Sequence, residues 1–137
     1  MSEAFVWIVK LLKQTNTRFQ ITGGFAAQLY GSTRPLFDLD IDVESFDKIL
    51  PFVQGFVKDS PRSYKEDGFD LELLTLEYQG QRIDLSRDNN TNFDDYSEMI
   101  VFDEIVPVIK RADLIEYKKR LGRAEDLKDV EEIKQKL

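Results

Sequence analysis

Residues 23–42 read GGFAAQLYGSTRPLFDLDID. A glycine pair leads into a short apolar helical run, then a Gly-Ser, then aspartates at alternate positions. On a strand, period-two alternation places Asp38, Asp40 and Asp42 on one face and Leu39 and Ile41 on the other. Carboxylates so close together repel one another and resist being buried bare. A divalent cation is the usual remedy, and magnesium suits hard oxygen ligands. The glycines just upstream let a backbone come close to phosphate. The stretch points to metal plus phosphate.

The rest of the composition narrows the chemistry. A chain of 137 residues is expected to form one domain spanning 1–137, with a core that needs no staples. Cysteine and histidine are both absent. That removes disulfides, thiolate or imidazole metal sites, a cysteine nucleophile and every Ser-His-Asp arrangement. Carboxylate, lysine and metal chemistry remain. A net charge of −7 argues against reading duplex DNA, which rewards basic surfaces. It leaves open a nucleotide or an RNA end held through metal. No apolar run approaches membrane-spanning length, and the N-terminal residues lack a signal-cleavage pattern, so the expectation is a soluble, cytoplasmic protein with no membrane partner.

Working outward, residues 4–13 read as an amphipathic helix with Phe5, Ile8, Val9 and Leu12 on one face and Ser2 and Glu3 at its start. A short strand at 19–22 delivers the chain to Gly23-Gly24, and a brief helix over 25–30 ends at Gly31. The acidic strand occupies 38–43. Ser45 is expected to cap a helix through about residue 57, kinked or split by Pro51. Residues 70–78 and 81–86 read as an antiparallel hairpin turning near Gly80. Residues 88–95 form a polar loop. An apolar strand lies around 105–109, and helices over 112–121 and 125–136 are separated by Gly122. Hairpin and crossovers together predict an α/β fold with a small mixed sheet flanked by helices.

Two metal ions can clamp an in-line phosphoryl displacement when about three carboxylates converge from nearby strands. Asp38 and Asp40 supply two of them. The third should project from an adjacent strand between apolar neighbours, and Asp84 in Arg82-Ile83-Asp84-Leu85 meets that description. Asp84 also suits the role of base toward an attacking hydroxyl. Gly23, Gly24 and the Gly31-Ser32 turn would offer donors to a triphosphate, and Arg34 a charged fork.

On these residues the chain resembles the nucleotidyltransferase superfamily that includes DNA polymerase beta. Within it the likeness is to aminoglycoside and lincosamide nucleotidyltransferases and to abortive-infection toxins of type IV toxin–antitoxin systems. The shared run appears as Gly23-Gly24-Phe25-Ala26, Gly31, Arg34 and Asp38-Leu39-Asp40-Ile41. A second run resembles the family's C-terminal pattern: Val106-Pro107-Val108-Ile109, then Leu114 to Lys118, then Arg123 to Asp129. The resemblance implies a triphosphate contact for Lys118 and a supporting place for Asp126. Two positions depart from the pattern. Leu36 stands where Thr or His is common, and Glu125 where Lys is common.

Each feature also has a plainer reading. The alternating aspartates could guard an edge strand. An EF-hand is excluded, because the sixth position from Asp38 is Val43 and the twelfth is Ile49. Glycosyltransferases with an Asp-x-Asp motif usually need a longer chain. Asp42 falls just beyond the expected metal site. Gly23-Gly24 could be a tight turn alone, and Asp126 and Asp129 ordinary helix-surface residues, with Asp126 near a helix start that favours acids. Glu72 and Glu77 lie on opposite faces of one strand, so at least one faces solvent. Phe5, Trp7, Phe46, Phe52 and Phe56 read as core aromatics.

The expectation is therefore a minimal nucleotidyltransferase that moves a nucleoside monophosphate from an NTP to a hydroxyl acceptor and releases pyrophosphate. Asp38, Asp40 and Asp84 would hold two magnesium ions, with manganese as a substitute. Gly23, Gly24, Ser32, Arg34 and Lys118 would bind the nucleotide. The acceptor, whether small molecule, protein or RNA end, is not written in the sequence, and its site would come from a homodimer mate, a partner protein or the open face of the sheet. The alternative is a catalytically inactive nucleotide-binding or protein-interaction module, such as a toxin–antitoxin component.

Overall fold

A computed structural model describes residues 1–66 and 69–136. The chain opens with α1 (Ser2–Gln14), whose Phe5, Ile8, Val9 and Leu12 are fully buried, as the periodicity predicts. Ser2 lies inside that helix and caps nothing; Met1 occupies the cap position. Strand β1 (Phe19–Ile21) is buried throughout, and α2 (Gly23–Leu29) begins at the glycine pair itself. Strand β2 (Asp38–Val43) shows the expected alternation, with Leu39, Ile41 and Val43 buried and the aspartates on the other face.

The helix expected over 45–57 is replaced by shorter pieces. The Ser45 hydroxyl accepts the Asp47 N–H at 3.1 Å and closes a turn. Only α3 (Leu50–Val53) and a 3₁₀ turn (Gln54–Phe56) follow. Pro51 explains this: it lacks an N–H and tolerates only the first turn of a helix, which is where it sits. With no long helix to cover it, Phe52 is 60% exposed, so it is not core. Phe56 is also exposed, while Phe5 and Phe46 are buried as expected. Trp7 stacks on Tyr78 with ring centroids 4.3 Å apart.

Strand β3 (Val57–Glu66) runs through a polar stretch that carries no strand signal in the sequence. It pairs only with β4 (Phe69–Tyr78), through a shifted register, and forms one edge of the sheet. An edge strand tolerates Pro61 and a run of charges, and both features disguise it. The predicted hairpin joins β4 to β5 (Gln81–Asp88), turning at Gln79 and Gly80, both with positive φ as a type I′ turn requires. The opposite edge, β6 (Ser97–Val101), was also silent in the sequence. It pairs with β7 (Glu104–Val108) across a turn at Phe102 and Asp103. Helices α4 (Arg111–Leu121) and α5 (Ala124–Gln135) follow as expected, parted by left-handed Gly122.

The strands form one seven-stranded mixed sheet in the order β3-β4-β5-β2-β1-β7-β6. The acidic strand β2 lies at its centre, antiparallel to β1 and parallel to β5. Being central, it is not an acid-guarded edge. No helix among the described residues is long and apolar enough to cross a membrane.

Candidate active site

The register between β2 and β5 builds the site. Asp38 lies opposite Arg82, Asp40 opposite Asp84, and Asp42 opposite Ser86. Because side chains alternate, all six belong to one face of the sheet. Thr75 on β4 is level with Asp84 and donates its hydroxyl hydrogen to Asp84 Oδ1 at 2.7 Å. The face borders an open cleft of about 850 Å³. Every residue predicted for the site lines that cleft except Ser32.

The glycine pair presses on the acidic strand. Gly23 has φ +59°, and a Cβ there would lie 2.6 Å from Asp40 Oδ2. Both facts demand glycine: side chains are strained at that φ, and this one would overlap the carboxylate. The next amide, Gly24 N–H, donates to the same Asp40 oxygen at 3.2 Å. Packed this closely, Asp40 is pushed up to about 7, first by burial and then by the charge of Asp84. Asp38 is also raised, by burial and then by Asp84. Asp42 is pushed up to about 6 by burial, although Ser86 and Thr91 donate hydroxyl hydrogen bonds to it, that from Thr91 at 2.9 Å. Its carboxylate is thus engaged beyond the Asp38–Asp40–Asp84 group, as the strand geometry suggested.

The donor set is right for a hard divalent cation: carboxylates on adjacent strands, in register, with the proton affinities of Asp38 and Asp40 raised. As the side chains stand, however, no group of three carboxylates among the described residues is gathered to hold a metal ion. The convergence expected of Asp38, Asp40 and Asp84 is incomplete, and a guanidinium stands among them. Arg82 Nε donates to both Asp84 oxygens at 3.2 Å and lies 3.9 Å from Asp38 Oδ2. Sequence reasoning missed Arg82, although its spacing of two residues from Asp84 on a strand already put both on one face. Arg62 on β3 was missed too. Its Nη2 donates to the Thr75 hydroxyl at 3.1 Å, and nothing in the sequence marked β3 as a strand.

Helices α4 and α5 supply a second cluster beside the cleft. Lys118 is 3% exposed, with Nζ 3.0 Å from Asp129 Oδ2 and 3.5 Å from Asp126 Oδ1. Asp126 and Asp129 are wholly buried, so they are not helix-surface residues. Asp129 also accepts from Ser32 Oγ at 2.7 Å and from Arg34 Nη2 at 2.6 Å. Burial alone would raise it, but the donors Arg34, Ser32 and Lys118 outweigh burial and hold it below the usual carboxylate range. Asp126 accepts from the Arg123 backbone N–H at 3.3 Å and from its guanidinium at 2.6 Å, closing the start of α5. The Ser32 hydroxyl is therefore spent on α5, and Lys118 reaches the cleft from a nest of two carboxylates.

Neither a family model nor a curated protein matches the sequence. Solved structures do match the fold. A Thermotoga maritima protein assigned as a nucleotidyltransferase (TM1012) aligns with a TM-score of 0.73 at 16% identity, over 98% of this chain and 92% of that one. The enzyme ANT(2'')-Ia, in complex with adenylyl-2''-tobramycin, aligns with a TM-score of 0.63 at 12% identity, over 98% and 87% of the two chains. A Helicobacter pylori protein assigned as a nucleotidyltransferase aligns with a TM-score of 0.56 at 19% identity, over 93% and 64%. The chain has the nucleotidyltransferase fold, as its glycine and aspartate runs implied. Its particular neighbours include an aminoglycoside-type member, and at these identities the likeness is one of architecture.

Proposed function

We propose that the protein is a metal-dependent nucleotidyltransferase, moving a nucleoside monophosphate from an NTP to a hydroxyl acceptor. The observation that carries this reading is the pairing of Asp40 with Asp84 across parallel strands, directly against the Gly23–Gly24 turn. Asp38, Asp40 and Asp84 would hold the metal ions, magnesium or manganese, which when bound neutralise the triphosphate and lower the cost of charge developing at the displaced oxygen. The Gly23–Gly24 turn and Arg34 line the cleft where a triphosphate would lie, with Lys118 behind them. Asp84 takes the proton of the acceptor hydroxyl as its oxygen attacks the α-phosphorus and pyrophosphate leaves. Ser32, tied to Asp129, is assigned to holding the loop that carries Arg34.

The cation requirement follows from electrostatics. Asp40 and Asp84 are level with each other across adjacent strands, and burial removes the water that would screen them. The same acidity suits metal-bound nucleotide better than a bare nucleic-acid backbone. A nucleotide-binding or protein-interaction module without turnover, such as a toxin–antitoxin component, is the second reading. It is favoured by the grip of Arg82 and Thr75 on Asp84, the proposed base.

The test is calorimetric titration of ATP, GTP, CTP and UTP with magnesium, on the wild type and on Asp38→Ala/Asp40→Ala. Metal-dependent binding of an NTP that disappears in the double variant supports the site. Pyrophosphate release on adding candidate acceptors then separates turnover from binding alone. An absence of NTP binding by the wild type would sink the reading.

A further inference from the structure

We propose that Arg82 is an internal counter-cation of the carboxylate site, one that keeps divalent metal out until a nucleotide arrives to receive the guanidinium. The inference rests on the reading of Asp38, Asp40 and Asp84 as metal ligands. Strand register sets Arg82 opposite Asp38, while alternation puts it on the same face as Asp84. Its Nε engages both oxygens of Asp84 and lies within ion-pair distance of Asp38. A metal ion binding there must take lone pairs that Arg82 now occupies, and must do so beside a like charge. Thr75 can remain on Asp84, because a hydroxyl adds no charge and leaves the second oxygen free.

Arg82 is built to move. Its side chain is 42% exposed, and that of Asp38 is 41% exposed, so the contact opens without disturbing the core or the strand backbone. Ile83 and Leu85, which flank Asp84 on the same strand, point the other way and are fully buried, fixing β5 in place. The cleft that Arg82 lines is where the triphosphate would lie, and phosphate oxygens offer a guanidinium a bidentate partner. Nucleotide and metal then favour each other. The nucleotide draws Arg82 off the carboxylates, and the metal displaces Arg82 toward the phosphates, with the coupling equal in both directions.

The probe is Mn²⁺, followed by the loss of its free electron-paramagnetic signal on nucleotide-free protein and, with each of the four NTPs, by the protein-dependent change relative to the protein-free Mn²⁺–NTP complex. Wild type should bind Mn²⁺ alone weakly and take it up with the favoured NTP. Arg82→Gln should bind Mn²⁺ alone at least ten-fold more tightly than wild type. Arg82→Lys, which keeps the positive charge, should stay close to wild type, and Arg82→Gln/Asp40→Asn should lose the gain. Should the Gln variant fold poorly by circular dichroism, Arg82→Thr, a good strand former, takes its place. Equal Mn²⁺ affinity in wild type and the neutral variant overturns the inference and leaves the metal site standing. A gain that survives Asp40→Asn also overturns it, because the extra ion then lies elsewhere. Absence of Mn²⁺ binding to any variant, with or without NTP, overturns the metal-site reading and the inference with it.

Discussion

Asp40 on β2, partly buried, and Asp129 on α5, fully buried, are aspartates beside the same cleft, yet their proton affinities move in opposite directions. Asp40 is raised to about 7 and Asp129 is lowered. Burial opposes charge in both places, so burial alone does not separate them. The difference is in the partners. Asp129 receives a serine hydroxyl, an arginine and a lysine, all from within the fold. Asp40 receives one backbone amide and faces a second carboxylate. One cluster is electrostatically complete and holds the helices to the Ser32–Arg34 loop. The other has one guanidinium, Arg82, shared by Asp84 and Asp38 among three carboxylates, and is suited to receive further positive charge from solution.

The largest effect should come from breaking the complete cluster. Asp129→Ala would leave the buried Lys118 with Asp126 alone and take the acceptor from Ser32 and Arg34, and losing one member of a buried ion pair typically costs about 3–5 kcal/mol. Urea unfolding should show a loss of that size; a loss below about 1 kcal/mol would mean that Lys118 finds water or another partner. The incomplete cluster is more sensitive to shape. Gly23→Ala would force a side chain into left-handed backbone and against Asp40, a combined strain of roughly 2–3 kcal/mol, together with loss of NTP binding by calorimetry.

Acidity gives a contrast of opposite sign. Asp40 holds its proton to about 7 when folded, against 3.8 for an ordinary aspartate in the unfolded chain, so between those limits the folded chain binds more protons than the unfolded one. Its contribution to stability therefore falls as pH rises through that window and is flat above it. Asp42 adds a drop of the same sign, ending near pH 6. Asp129, lowered, contributes stability that is present at neutral pH and lost only as acid carries pH below 3.8. Metal-free protein should then be less stable at pH 8 than at pH 5, with Asp40 responsible for roughly 2 kcal/mol of the difference. Asp40→Asn should remove that portion in parallel melts at the two pH values; an unchanged pH dependence would show that Asp40 is already neutralised.

The smallest effect is expected away from both clusters. Phe52→Ser should change stability by no more than about 0.5 kcal/mol in a thermal melt, because that ring is largely solvent-exposed. A loss of several kcal/mol would show that the ring packs after all, as its hydrophobicity suggested.

The sequence by itself determined the parts whose signal is local. Alternation marked β2 to its ends, a glycine-centred turn marked the β4–β5 hairpin, and Gly122 parted α4 from α5. The Gly-Gly and Asp-x-Asp runs named the face on which the site would lie, because period two leaves a strand no other arrangement. Tertiary structure alone decided the rest. The edge strands β3 and β6 exist because neighbours pair with them, and their polar sequences say nothing of it. Ser32, expected at the nucleotide, donates to Asp129 across 97 residues of chain and so ties loop to helix. For Asp126 and Asp129 the sequence left a helix-surface reading open, which closed only when α4 brought Lys118 against both. Arg82 became the partner of Asp38 only through the register of two parallel strands. Periodicity fixes which way a side chain points, whereas the charge it meets is set by whichever distant segment folds against it.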